Sequence, residues 1–172
     1  VALMLISPEM VLIFGSPKYR EAVYVIPPVA ASVFFIFIYN ILSMPQFYYE
    51  KTQFLMAASM AAAGANVVLN FIFIRLFGYI AAGYTTLACY MLYSVGHYIV
   101  SKRILVNEGI QENLMSPGFL VACSVFLIGA SIICNLIFPY RILRYAILLA
   151  SAGLVFWKKE LLLKTMADIR KK

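Results

Sequence analysis

Charge is the scarcest commodity in this 172-residue chain. Asp, Glu, Lys and Arg together make up 12% of it, against about 25% in an ordinary soluble domain. So few charges cannot cover a water-facing surface, and the mean hydropathy of +0.91 agrees. Hydrophobic residues reach 64%, where about 45–50% is usual. The seven acids lie in loops, at the ends of apolar runs or in the tail. No paired carboxylates are therefore available inside a run for acid–base chemistry. There is one histidine, and the three cysteines (Cys89, Cys123, Cys134) fall inside apolar runs without a CxxC pair. That leaves neither a metal-ligand pattern nor a disulfide framework, and the thiols read as structural. A nucleophile elbow, a Gly-rich phosphate loop and HExxH are all missing. The expectation is a protein that is not an enzyme and needs no cofactor. The formal charge of +7 would point to nucleic acid in a soluble chain. Here the basic residues cap apolar runs and fill a C-terminal tail, which fits membrane topology and anionic lipid headgroups instead.

What the chain does have is long apolar runs. About 20 apolar residues are needed to cross a hydrocarbon core of about 30 Å. The sequence offers spans at about 22–47, 53–76, 79–101, 117–138 and 142–160. The last reaches full length only if Arg144, Lys158 and Lys159 snorkel to the interfaces. None of these runs shows the sustained alternation that a membrane barrel requires. The opening Val-Ala-Leu-Met-Leu-Ile has no basic n-region and no small-residue cleavage site, so it is not a signal peptide. It reads as the end of a spanning helix that begins upstream, making this the C-terminal part of a longer protein. The fold expected is an all-α polytopic membrane protein, with five complete transmembrane helices plus an N-terminal remnant.

Ser7-Pro8-Glu9 has the form of an N-cap, a first-turn proline and an early carboxylate, starting a short helix that Gly15 stops after Phe14. Tyr48 to Thr52 reads as a tight polar hairpin, with further turns at Phe77-Gly78-Tyr79 and Pro139-Tyr140-Arg141. Pro27-Pro28 and Pro45 fit either a simple kink near the ends of the first span or a transporter-type hinge. The one long polar loop is 102–116, and 161–172 forms a basic tail. With the Lys51 hairpin, this loop and the tail on one side, that side holds nine basic residues and the other five. The richer side is cytoplasmic by the positive-inside rule. Tyr48, Tyr49, Tyr79, Tyr98 and Trp157 suit interfacial belts, and Arg75 suits snorkelling.

Polar residues recur at helical spacing within three spans. Ser32, Tyr39, Asn40 and Ser43 line up on the first; Ser59, Ala63, Asn66 and Asn70 on the second. Gly83, Thr86, Tyr90, Tyr93, His97 and Ser101 form a face on the third. Amides and hydroxyls in hydrocarbon must find partners across helices or in a wet cavity. The candidate cavity lining is Tyr39, Asn40, Asn66, Asn70, Tyr90, Tyr93 and His97. The plainer alternatives are interhelical hydrogen bonding for the amides and interfacial anchoring for His97. The small-residue run Ala57 to Ala65, with Gly64, reads as close helix packing.

The order of several short segments resembles a known family. They are Pro8-Glu9, Leu12-Ile13-Phe14-Gly15, Tyr19, Glu21-Ala22 and Ile26-Pro27, then Phe47-Tyr48-Tyr49-Glu50-Lys51-Thr52 and Asn66-Val67-Val68-Leu69-Asn70. Ile74 and Leu76 to Thr86 follow. Together they resemble the C-terminal half of bacterial polysaccharide (O-antigen or capsule) flippases, in the multidrug/oligosaccharidyl-lipid/polysaccharide exporter superfamily. The likeness is clearest from Pro8 to about Arg103; from Leu114 onward only hydropathy matches. It implies the second lobe of a two-lobe transporter in the bacterial inner membrane. Such proteins move an undecaprenyl-pyrophosphate-linked oligosaccharide between leaflets by alternating access, commonly coupled to a proton or sodium gradient. The implied partners are that lipid-linked oligosaccharide, an N-terminal lobe of the same chain, membrane lipids, and polysaccharide polymerase and assembly proteins. These spans carry no Lys or Arg at mid-membrane, so a cationic site for the pyrophosphate would fall to the other lobe. Three other readings stand beside this one. They are a drug exporter of the same superfamily, a membrane glycosyltransferase or polymerase, and a scaffold without transport.

Overall fold

The computed structural model describes residues 2–15, 17–110 and 114–157, and the expected basic tail lies outside them. All regular elements among the described residues are helical. In order they are α1 (Ala2–Phe14), a 3-10 helix (Pro17–Tyr24), α2 (Ile26–Tyr48), α3 (Gln53–Phe77), α4 (Ala81–Asn107), α5 (Pro117–Ile137) and α6 (Arg141–Trp157). Three of the described helices, α2, α3 and α5, are long and apolar enough to cross a membrane. The sequence predicts five. α6 has 17 residues, or about 26 Å at 1.5 Å per residue. α4 has 27, but its tyrosines, threonines, serines and His97 dilute its hydropathy, and Lys102 and Arg103 fall within it.

Helix ends follow local chemistry. Pro27 and Pro28 sit in the first turn of α2, where a missing N–H leaves no hydrogen bond unmade. They start that helix after the 3-10 segment and do not kink a longer one. Ser116 caps α5 by accepting from the Phe119 N–H at 3.3 Å, with Pro117 following as the first helical residue. Gly78 closes α3 at φ +77°, a conformation that costs glycine little.

Two sequence expectations fail in the backbone. α1 is one continuous helix through Pro8, and the Ser7 hydroxyl bonds back to the Met4 carbonyl at 2.8 Å. The apolar residues before Ser7 and after Glu9 share one helix, and burying Ser7 among them outweighs its value as a cap. The polar loop expected at 102–116 is shorter, because α4 runs on to Asn107. Buried Ile104 and Leu105 hold that last turn against the bundle.

The centre of the bundle is α2 against α4. Met4, Leu5, Val23, Ala31, Phe35, Leu87, Cys134 and Phe138 form its buried apolar cluster, drawing on α1, α2, α4 and α5. Gly83 sets the closest approach. A Cβ there would stand 2.8 Å from Pro28 Cγ and 3.0 Å from the Val25 carbonyl oxygen. Gly83 is thus a packing residue, not part of the polar face on which sequence spacing places it. α3 packs against α4 and buries none of its own residues. The expected close packing at Gly64 does not occur, since a Cβ there meets open space. Val68, Phe71 and Leu76 of α3, and Val33, Phe37 and Phe47 of α2, face outward, a distribution suited to lipid.

Two polar contacts mark the ends of the bundle. Tyr79 donates to Glu21 at 2.9 Å, tying the α3–α4 turn to the 3-10 helix. At the opposite end Lys51 reaches Glu108 at 3.4 Å, between the α2–α3 hairpin and the end of α4.

Candidate functional site

The polar stripes of α3 and α4 meet. Ser59 and Tyr93 share a hydrogen bond of 2.7 Å. Seven residues along, Asn66 donates to Thr86 at a long 3.5 Å and accepts from Asn70 at 2.8 Å. Thr85 in turn donates to the Asn70 carbonyl oxygen. This ladder gives each amide oxygen and nitrogen a side-chain partner, as hydrocarbon surroundings demand.

Beside the ladder lies a cavity of about 480 Å³, lined by Tyr39, Ser59, Ala62, Ala63, Asn66, Val67, Thr86, Cys89, Tyr90 and Tyr93. Its walls combine tyrosine rings, hydroxyls and one amide on an apolar ground. Tyr39 and Tyr93 meet edge-on, with ring centroids 4.7 Å apart. Such a lining offers stacking surfaces and uncharged hydrogen-bonding groups, the means by which sugars and other hydroxyl-rich neutral groups are held. None of the ten lining residues carries a formal charge.

Of the seven expected lining residues, Tyr39, Asn66, Tyr90 and Tyr93 come together here. Asn70 stands one helical turn away, off the cavity wall, and is hydrogen-bonded to Asn66. Asn40 does not join them. Its side chain is exposed and donates to the Ile36 carbonyl of its own helix at 2.7 Å. Ser32 and Ser43 of the same stripe are buried in helix contacts, each bonded to its own helix.

His97, the seventh expected lining residue, is fully buried and not part of the cavity wall, and it does not stand at an interface either. The Gln46 side-chain nitrogen lies 2.9 Å from His97 Nδ1 and 2.9 Å from Ser101 Oγ. Ser101 donates on to the Leu42 carbonyl. With the amide nitrogen facing the ring, Nδ1 accepts and the ring proton sits on Nε2. His97 Nε2 and Gln46 Oε1 are buried with no partner among the described residues. Tyr93 packs edge-on to the imidazole, with centroids 4.4 Å apart, which joins this polar cluster to the cavity wall. Sequence reasoning passed over Gln46, although it continues the stripe Tyr39–Ser43 one turn further. Its nearness to the hairpin makes it read as solvated, whereas α4 covers it completely. Thr85 was likewise missed.

No protein-family profile, curated protein or solved structure matches the chain.

A second polar cluster lies at the end of the bundle where α1, the 3-10 helix and the α5–α6 turn converge. Arg144, 3% exposed, is ion-paired to Glu9, and Tyr145 donates to the same carboxylate oxygen at 2.6 Å. Arg144 is therefore turned inward onto α1, not extended to an interface. Arg75 stacks over Phe71 at 3.8 Å.

Proposed function

We propose that the chain is a transporter lobe of five membrane-crossing helices, carrying a lipid-linked oligosaccharide across the bacterial inner membrane by alternating access. The observation that carries this reading is the uncharged cavity between α2, α3 and α4, with its tyrosine, hydroxyl and amide lining. A sugar presents hydroxyls and C–H faces, and both have complements there. The order of sequence segments that resembles the polysaccharide flippases narrows the substrate to a polyprenyl-linked repeat unit. Five crossings are consistent with the helix lengths. α4 at 27 residues extends about 40 Å, and α6 falls only a few ångströms short of a core of about 30 Å. The nine-residue basic side then faces the cytoplasm, and the outward apolar side chains of α2 and α3 meet lipid or the second lobe.

Deleting the gene and identifying which undecaprenyl-linked glycans accumulate, and on which leaflet, tests the reading. Complete repeat units trapped on the cytoplasmic leaflet support it. Truncated or unpolymerised glycans point to an enzyme. An unchanged lipid-linked pool with altered drug sensitivity points to an exporter of small molecules.

A further inference from the structure

Beneath the Arg144–Glu9 pair is a cavity of about 290 Å³, separate from the α2–α4 cavity. Three arginines line it (Arg20 of the 3-10 helix, Arg141 and Arg144 of α6), and one carboxylate, Glu9, opposes them. Arg144 and Glu9 neutralise one another. Arg20 and Arg141 have no carboxylate partner among the described residues, so the cavity carries two uncompensated cations. The rest of its wall includes Val11, Leu12, Val23 and Phe138.

Two buried atoms there lack a partner among the described residues: Arg144 Nε, a donor, and Glu9 Oε2, an acceptor. Leaving a buried group of this kind unpaired is costly, the more so when it is charged. A single occupant that satisfies both must bring an anionic oxygen for Nε and a hydrogen-bond donor for the carboxylate. We propose that this cavity is a binding site for a phosphate group with an adjacent O–H donor. A glycerophosphate headgroup supplies both functions, its phosphate oxygens to the arginines and a glycerol hydroxyl to Glu9. Hydrogen phosphate supplies them within one ion. The apolar wall suits the headgroup's glycerol backbone and the start of its acyl chains. Guanidinium is the matching partner in either case, because its planar fork pairs with two phosphate oxygens at once. The site is built from α1, the 3-10 helix and α6 and is independent of the transport reading.

Native mass spectrometry of the purified protein, titrated with phosphatidylglycerol and with phosphatidylcholine, tests it. Phosphatidylcholine carries the phosphate but neither a net negative charge nor a headgroup hydroxyl. Preferential retention of phosphatidylglycerol is expected. The R20Q/R141Q double variant, which leaves the Glu9–Arg144–Tyr145 cluster intact, is expected to weaken that retention about tenfold or more. Should the double variant misfold, the single variants carry the test, each with a loss of about fivefold. Displacement of the lipid by millimolar inorganic phosphate identifies a soluble phosphate as the natural occupant. Persistence identifies the lipid headgroup. Equal retention of the two lipids, or unchanged phosphatidylglycerol binding in folded R20Q/R141Q, overturns the proposal.

Discussion

Replacing Asn66 by leucine separates the two roles its position allows. Asn66 makes two side-chain contacts, the 3.5 Å bond to Thr86 and the 2.8 Å bond from Asn70. Thr86 keeps a partner after the change, whereas the Asn70 side-chain N–H loses its acceptor. The Thr86 hydroxyl keeps its 2.8 Å bond to the Ala82 carbonyl, and the Asn70 carbonyl oxygen still receives Thr85. Interhelical hydrogen bonds in membranes average about 0.6 kcal/mol, so the substitution should cost about 1 kcal/mol. For a chain of this size that lowers the thermal midpoint by about 3 °C. The effect on transport should be larger than such a loss can explain. Leucine withdraws the one amide from the cavity wall and puts a branched apolar group in its place. Losing one uncharged hydrogen bond to a sugar hydroxyl is worth about 1 kcal/mol, or roughly fivefold in rate. The assay is movement of a fluorescent lipid-linked oligosaccharide across reconstituted vesicles, read by a membrane-impermeant quencher, alongside thermal unfolding in detergent. Val68→Leu, on the outward face of α3 (Val68 is 56% exposed), is the control and should change neither. A wild-type rate for Asn66→Leu would falsify the cavity assignment. A rate loss matched by a collapse of the midpoint would reduce Asn66 to a packing residue.

Four further substitutions probe the bundle. Gly83→Ala forces a Cβ to within 2.8 Å of Pro28 and should destabilise by about 1–3 kcal/mol through overpacking. Gly96→Ala, whose nearest contact is Phe54 at 3.7 Å, should be neutral or stabilise by up to about 1 kcal/mol. Thermal unfolding of the pair measures the contrast, and equal midpoints would refute the α2–α4 close approach. Gln46→Leu removes the bonds to His97 and Ser101 and leaves the imidazole Nδ1 buried without a donor. A loss of about 1–3 kcal/mol is expected, with the His97 ring freed to change tautomer; an unaltered imidazole nitrogen NMR spectrum would contradict the contact. Glu9→Gln leaves the buried Arg144 guanidinium without a counter-charge and should cost about 3 kcal/mol. A chemical-denaturation midpoint equal to wild type would show that the pair contributes nothing to the α1–α6 corner.

The helices and their approximate limits were legible because hydrocarbon-length apolar runs have few alternatives and because proline and glycine mark turns by backbone geometry. Gly78 and Gly15 sit where helices stop, and Pro27-Pro28 and Pro117 where helices begin. Ser7 misled for a local reason. A serine before proline resembles a cap, but apolar flanks on both sides let the helix run through. Periodicity likewise placed Asn66, Asn70, Tyr90 and Tyr93 on facing stripes, since the helical repeat fixes which residues of one helix share a face. It could not say which neighbour each face meets. Asn40 shares its stripe with Tyr39 yet turns outward, because a lining position depends on how α2 is rotated against α4. His97 and Gln46, each near a helix end in the sequence, are fully covered for the same reason.

The sequence by itself determined the helices of the described residues and their apolar runs of membrane-crossing length, since these follow from composition and from spacing along the chain. Only the tertiary structure decided that Asn66 lines a cavity and Asn40 does not, that Gln46 holds His97, and that Glu9 meets Arg144 across 135 residues. Those pairings depend on the rotation and separation of packed helices. Side-chain shape at contacts such as Gly83 against Pro28 sets both, and no periodicity within a single helix encodes them.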